Sequence, residues 1–360
     1  MRVILLLGVA AWLLTSCART GSPTPSGSQP PSVSRQTQGP DDAQLIEAAK
    51  AEGSIVWYTS VELTVAQILA QAFTAKYGVQ AEVNRNGSER IFSQFMREME
   101  TGVNGADVVH TSDASNFLEM KEKGYLAPYR VSAVDRLIRE NRDRLLDTDD
   151  QWFALRLTVS NVVYNTNLVR EDELPRSWKD LTEPRFRGKL VVAHPSYSGV
   201  ALTYIQALQA QYGWGYFTAI AEGDPLVVQS VVDVTAKVVS GERPIGAGGN
   251  DYTSYTQMKA GQPIATLAMS EGVPFIVSPQ GIPVAAPHPN AAKLFLEYSM
   301  SKEGQEVLVN QGGVYPVRDD VAIQPDRTPL TSLKLLLTDP AETNRARADI
   351  QRQFTDIFGV

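Results

Sequence analysis

"IVWYTSVELTVAQ", residues 55–67, sets an apolar run directly against a helical pattern. The segment SIVWY reads as a strand. Val65, Ile68, Leu69, Ala72 and Phe73 then recur at i, i+3, i+4, i+7 and i+8, the apolar stripe of an amphipathic helix. Thr64 with Gln67 fits a capping box at the start of that helix, and Gly78 fits its C-terminal stop. Thr59, Ser60 and Glu62 therefore stand in a loop between the carboxyl end of a strand and the start of a helix.

The unit recurs outward from there. Upstream, AQLIEAAKAEG reads as a short helix ended by Gly53. Downstream, VQAEVN reads as a strand, residues 85–88 as a loop, and Ile91, Phe92, Phe95, Met96 and Met99 as a second helical stripe before Gly102. ADVVH is a third strand, TSDAS a third loop and NFLEMKEKG a third helix. Such alternation implies parallel strands with right-handed crossovers. Ligands of such sheets bind at the carboxyl ends of the strands. The loops 59–64, 85–88 and 111–115 converge there, bringing Thr59, Ser60, Arg85, Ser112 and Asp113 together.

A second set begins after Trp152. LTVSNVVYN reads as an extended apolar segment, KLVVA as a strand and HPSYSG as its loop. Residues 200–212 form a helix with Ala201, Tyr204, Ile205 and Leu208 on one face. Val227, Val231, Val234 and Val238 stripe another. RPIGAG is a short strand, GND a loop, and YTSYTQMKAG a helix closed by Gly261. The fold class is therefore α/β in two lobes, the second with its own carboxyl-end loops at 194–199 and 249–252.

The chain has 360 residues, enough for two lobes. Its net charge of −7, with no basic stripe, argues against nucleic acid as a partner. Met1 and Arg2 precede the apolar run VILLLGVAAWLL, which is too short to span a bilayer comfortably and reads as a secretory signal over residues 1–17. The only cysteine, Cys17, ends LLTSC. Residues 18–42 are rich in Ser, Pro, Gly and Thr, a flexible tether. With the only cysteine at the end of the signal segment, the folded body holds no thiol, which excludes disulfides and thiolate chemistry there.

No GxxxxGK[ST] loop, HExxH, GxSxG elbow or CxxC pair occurs. His110, His194 and His288 are scattered, with no metal-ligand spacing along a helix. In HPSYSGVALTY, Ser196, Ser198 and Gly199 stand where a helix begins, a natural anion site and equally an ordinary N-cap. Arg85 in NRNGSER can fork onto a carboxylate or phosphate, or pair with Glu89 or Asp113. Asp251 and Tyr252 in GGNDYTSY offer hard oxygen donors for a cation, or a cap and a packed ring.

VWYTSVELTVAQILAQAFTAKYG, ADVVHTSDASNFLEMKEKGYLAPY, LTEPRFRGKLVVAHPSYSG and APHPNAAKLFLEYSMSKEGQEVL resemble bacterial ABC-importer substrate-binding proteins of the ferric-ion-binding class. The likeness runs in order from about Ala43 to about Arg318. LTSC ending at Cys17 similarly resembles a bacterial lipobox. The resemblance implies a periplasmic-binding-protein fold, each lobe a mixed, mainly parallel sheet flanked by helices. Lobe 1 would be residues 43–150 with 275–318, and lobe 2 residues 151–274 with 319–360. LTVSNVVYN and VPFIVSPQGIPVAAPHPN would be the crossovers, with the last helices bracing the second lobe.

It further implies a non-enzymatic, monomeric, extracytoplasmic protein, lipid-anchored to the membrane, that delivers a small ligand to an ABC permease and its ATPase. Iron binders of this class hold Fe3+ with a histidine, a glutamate and two tyrosines beside a synergistic anion. Here the histidine position holds Glu62, the glutamate position Ser112, and the tyrosine pair is Asp251-Tyr252. The anion loop is kept in kind as Ser198-Gly199. Glu62, Asp251 and Tyr252 thus become the expected metal ligands. Thr59, Ser60, Arg85, Ser112, Asp113, Ser198 and Gly199 become the expected contacts of an anion or polar solute. The alternative cargo is a phosphonate, sugar phosphate or carboxylate. Rivals from other classes are a secreted hydrolase, for which no nucleophile-base arrangement is legible, and a sensory ligand-binding module.

Overall fold

The computed structural model describes Gly39 and residues 41–360. The expected signal segment, Cys17 with its lipid, and nearly all of the expected tether lie outside the described residues. No helix among the described residues is long and apolar enough to cross a membrane.

The first half follows the strand-helix alternation. It comprises helix α1 (Ala43–Glu52), strand β1 (Ser54–Thr59), α2 (Leu63–Tyr77), β2 (Gln80–Arg85), α3 (Ser88–Thr101), β3 (Val108–His110), α4 (Ala114–Glu122) and β4 (Leu126–Ala127). β1 pairs in parallel with both β2 and β3. One boundary differs from the sequence expectation. Glu62, not Thr64, caps α2, and its carboxylate accepts the Val65 N–H at 3.3 Å. A carboxylate at the positive end of a helix is favoured electrostatically over a hydroxyl, so the helix begins sooner.

The chain continues through β5 (Phe153–Asn165), β6 (Leu190–Ala193), α5 (Gly199–Tyr212), α6 (Trp214–Glu222), β7 (Leu226–Val228), α7 (Val231–Ser240), β8 (Ile245–Asn250), α8 (Asp251–Lys259), β9 (Ile264–Leu267), β10 (Val273–Pro283), α9 (Pro289–Met300), α10 (Lys302–Gly312), β11 (Leu335–Leu336) and α11 (Pro340–Phe358). Two more expectations are corrected. Val227 lies in β7 rather than on the helix, because Ser230 and Asp233 close a capping box that starts α7 at Val231. GND is not a loop: β8 runs to Asn250 and α8 starts at Asp251.

Eight of the strands form one continuous path, β2-β1-β3-β10-β5-β8-β6-β7, with β4 and β11 added on β10 and β9 on β5. β6 pairs in parallel with β7 and β8, mirroring the arrangement around β1. The two long strands β5 and β10 run antiparallel between the halves, β10 pairing with β3 and β5 with β8. Each half has its own apolar core. Trp57 and Phe73 pack on Phe295 in one, with ring centroids 5.0 and 5.2 Å apart. Trp178 and Tyr204 pack at 5.4 Å in the other. α9 and α10 return to the first half, against α1 and α2. α11 touches both halves: Ile350 and Phe354 join the second core, while Arg347 bonds Glu89 and Ser115 at 2.7 Å each.

Candidate functional site

The carboxyl ends of β1, β2 and β3 face those of β6, β7 and β8 across a cleft whose floor is β5. Ser60, Arg85, Ser88 and Ser112 line it from the first half, and Ser198, Ser230, Asn250 and Tyr252 from the second. The lips are shut on a space of about 20 Å³. A Cβ placed on Gly87 would stand 2.5 Å from the Tyr197 carbonyl oxygen, and one on Gly199 2.7 Å from the Asp113 Cβ. Three helices begin at this wall. Ser88 opens α3, and the Ser198 and Ser230 hydroxyls cap α5 and α7. Their N-termini direct partial positive charge at the cleft.

The dominant feature is Arg156, in the middle of β5. It is only 1% exposed, and its Nε and Nη1 have no hydrogen-bond partner. Its guanidinium lies 4.7 Å from the centroid of the Tyr252 ring. Alternation along a strand puts Arg156, Thr158 and Ser160 on one face, and all three carry unpartnered buried polar atoms. Asn250, opposite Ser160 in the ladder, has an unpartnered Oδ1, and the Ser60 hydroxyl is unpartnered too. Buried polar groups are ordinarily hydrogen-bonded, and a buried charge without a counter-charge is costlier still. The cleft thus brings an unpaired cation together with the unpartnered Ser60 hydroxyl and the unpartnered Asn250 amide oxygen.

His110 shapes this floor. The Ser60 N–H donates to its Nδ1 at 3.3 Å, which leaves the ring proton on Nε2, itself buried and unpartnered. Burial, reinforced by the nearby Arg156 charge, holds the imidazole well below its ordinary range, so it stays neutral. The unfolded chain, with an ordinary histidine near 6.5, binds the proton first on acidification. The stability His110 contributes is therefore full above about pH 6.5 and lost as pH falls below it. Between about pH 7.5 and about pH 5.5 the wild type should lose about 1.4 kcal/mol more than His110→Asn. Urea denaturation at the two pH values checks this; parallel losses in the two proteins would remove the histidine as the cause.

The expected site residues divide by what holds them. Ser60, Arg85, Ser112, Ser198 and Tyr252 line the cleft, and Gly199 sits at its lip. The Thr59 hydroxyl is engaged by His110 and by the Val61 N–H, so it builds the loop. Arg85 pairs with neither Glu89 nor Asp113; its Nε donates to the Val61 carbonyl at 3.3 Å. Asp113 caps α4 through Ser115 and lies 3.5 Å from Arg347. Glu62, besides capping α2, borders a neighbouring cavity rather than the cleft itself. Asp251 is bound to Arg327 and accepts the Val159 N–H at 3.0 Å. Burial pushes its carboxyl up, against the pull of Arg327. Among the described residues no group of three or more His, Cys, Asp or Glu is placed to hold a metal.

Arg156, Ser88, Ser230 and Asn250 escaped the sequence reading. Arg156 had a usable signal, a lone arginine inside the apolar run FALRLTV. Ser230 had another, the S-x-x-D spacing of a capping box.

Comparison with known proteins agrees with this architecture. A family profile described as bacterial extracellular solute-binding protein matches residues 104–339. An uncharacterized protein of Haemophilus influenzae is 27% identical over 298 residues, 81% of this chain and 85% of that one. The Fe(3+)-binding periplasmic protein of Serratia marcescens is 23% identical over 317 residues, 83% of this chain and 89% of that one. The periplasmic binding protein AfuA from Actinobacillus pleuropneumoniae, with exogenous fructose-6-phosphate bound, matches with a TM-score of 0.77 at 23% identity, covering 86% of this chain and 99% of its own. Iron-bound HitA from Pseudomonas aeruginosa matches at 0.73 and 21% identity, covering 84% and 99%. These likenesses give the fold: two α/β lobes around a cleft.

Proposed function

The chain belongs to the bacterial extracellular solute-binding protein family, and from that premise we propose that its cargo is a small organic anion bearing a phosphate or phosphonate group. Members of the family are non-enzymatic, extracytoplasmic components of import that work with an ABC permease and its ATPase. Arg156 carries the reading: a buried guanidinium with two unpartnered N–H positions, among serine hydroxyls and helix N-termini, on the floor between two lobes. A tetrahedral oxyanion supplies the missing counter-charge and accepts from several donors at once. Arg85 adds a second cation at the same wall.

A bare ferric ion fits these groups less well. Two guanidinium groups oppose it, and the Asp251 carboxylate is already committed to Arg327. The proposal includes closure of the lobes on the solute, with β5 and β10 as the flexing crossovers, and tethering through a lipidated Cys17.

A ligand screen tests it. The protein, stripped by unfolding and refolding, is titrated with inorganic phosphate, glycerol 3-phosphate, citrate and ferric citrate, reading heat and thermal shift. Glycerol 3-phosphate should raise the melting temperature and bind with a fitted affinity. A visible iron-phenolate band that vanishes in Tyr252→Phe, with no response to any phosphate, would make the cargo iron instead.

A further inference from the structure

A second cavity, of about 490 Å³, adjoins the cleft, sharing Tyr252 and Val232 with its wall. It too lies between the lobes, with the start of α2 and the end of α10 on one side and α7 and α8 on the other. Its polar lining is mostly neutral: Thr64, Thr235, Thr253, Gln257 and Gln311. One charged side chain borders it, Glu62. Glu62 is half-buried, and among the described residues no lysine or arginine nitrogen pairs with its carboxylate. Only the Val65 N–H is accepted, through Oε2.

Charge is thus separated across the shared Tyr252 wall, with unpaired cation on the cleft side and unpaired carboxylate on the cavity side. Inorganic phosphate would use the first and leave the second idle. A solute carrying a cationic group at the far end of a short organic body would satisfy both. We propose that this side cavity is the subsite for the organic body of the cargo, and that Glu62 recognises an amine on it, so that the substrate class is a zwitterionic organophosphate or phosphonate. The inference rests on the anion reading of Arg156 above. The Glu62 carboxylate has an oxygen, Oε1, with no donor among the described residues, free to accept a charge-assisted hydrogen bond from an ammonium group. Thr235, Thr253 and the glutamines supply neutral hydrogen-bonding walls that tolerate a short hydrocarbon spacer.

The test compares ω-aminoalkyl phosphates of two to four carbons with hydroxyalkyl phosphates of the same lengths and with inorganic phosphate, by calorimetry on the wild type, Glu62→Gln and Ala236→Phe. The amide introduced by Glu62→Gln keeps an oxygen acceptor for the Val65 N–H, so the helix start survives the change. One amine length should bind the wild type at least about tenfold more tightly than its hydroxyl analogue. Glu62→Gln should erase that preference, bringing the amine down to the affinity of its hydroxyl analogue. Ala236→Phe, which fills the side cavity, should weaken both organic esters and spare inorganic phosphate. Equal binding of amine and hydroxyl analogues in the wild type overturns the amine subsite and leaves the anion reading standing. No binding of any phosphate overturns both.

Discussion

Arg156→Met is expected to weaken phosphate-ester binding by roughly 30- to 5,000-fold, the equivalent of about 2–5 kcal/mol lost when one partner of a desolvated charge pair is removed. The unliganded protein should be no less stable, which separates a ligand-binding arginine from a structural one. A buried arginine that holds the fold through an ion pair costs about 3–5 kcal/mol to remove, since its partner is left stranded. Arg156 has no partner at Nε or Nη1 to strand. Its removal relieves an unsatisfied buried charge, about 1–3 kcal/mol, and forfeits the Tyr252 ring contact, about 0.5–2 kcal/mol. These nearly cancel, so the apo melting temperature should stay or rise. Arg156→Lys should fall between, because an ammonium keeps the charge but loses the planar fork. Isothermal titration and melting curves on the three proteins decide it. A methionine variant that melts several degrees lower yet binds normally would make Arg156 a structural residue.

The contrast between Arg156 and Arg347 shows what is and is not legible in a sequence. Both are buried arginines near the cleft. Arg347 is engaged by Glu89, Ser115, Asn116 and Asp113, groups more than two hundred positions away in the chain. Arg156 sits in a strand of apolar neighbours, and nothing within it announces the missing counter-charge. Helix and strand periods are local properties, so the α/β alternation is legible from residue types alone. Valine tolerates both states, which is why Val227 reads as part of a helical stripe although the capping box at Ser230 divides it from α7. Partners are non-local. Asp251 reads as a free hard donor because Arg327, which neutralises it, lies 76 residues away. Glu62 is legible as a carboxylate at a loop, but its place at the side cavity depends on α7 and α8, which belong to the other lobe.

The two lip glycines carry the second large effect. Gly87 and Gly199 meet the opposite lobe at backbone level, Gly87 beneath the Tyr197 carbonyl and Gly199 against Ser112 and Asp113. Neither adopts a positive φ, so alanine fits both backbones within its own lobe. What alanine cannot do is share the space across the cleft, where its Cβ would come within 2.5 Å of an oxygen at Gly87 and 2.7 Å of a carbon at Gly199. Rigid main chain lies on the far side at Tyr197, so the lobes themselves must part. Overpacking of this kind costs about 1–3 kcal/mol per site. Because the clash exists only in the closed form, that cost falls on closure and hence on affinity, roughly 5- to 150-fold for either variant. The double variant should exceed either single variant but fall short of the product, since parting the lobes for one added Cβ partly relieves the other. Melting of the unliganded protein should change little if the open form is accessible to it, and small-angle scattering with saturating phosphate ester should show a larger radius of gyration than the wild type. Unchanged affinity in the double variant would mean that the cleft binds its solute without bringing these lips into contact.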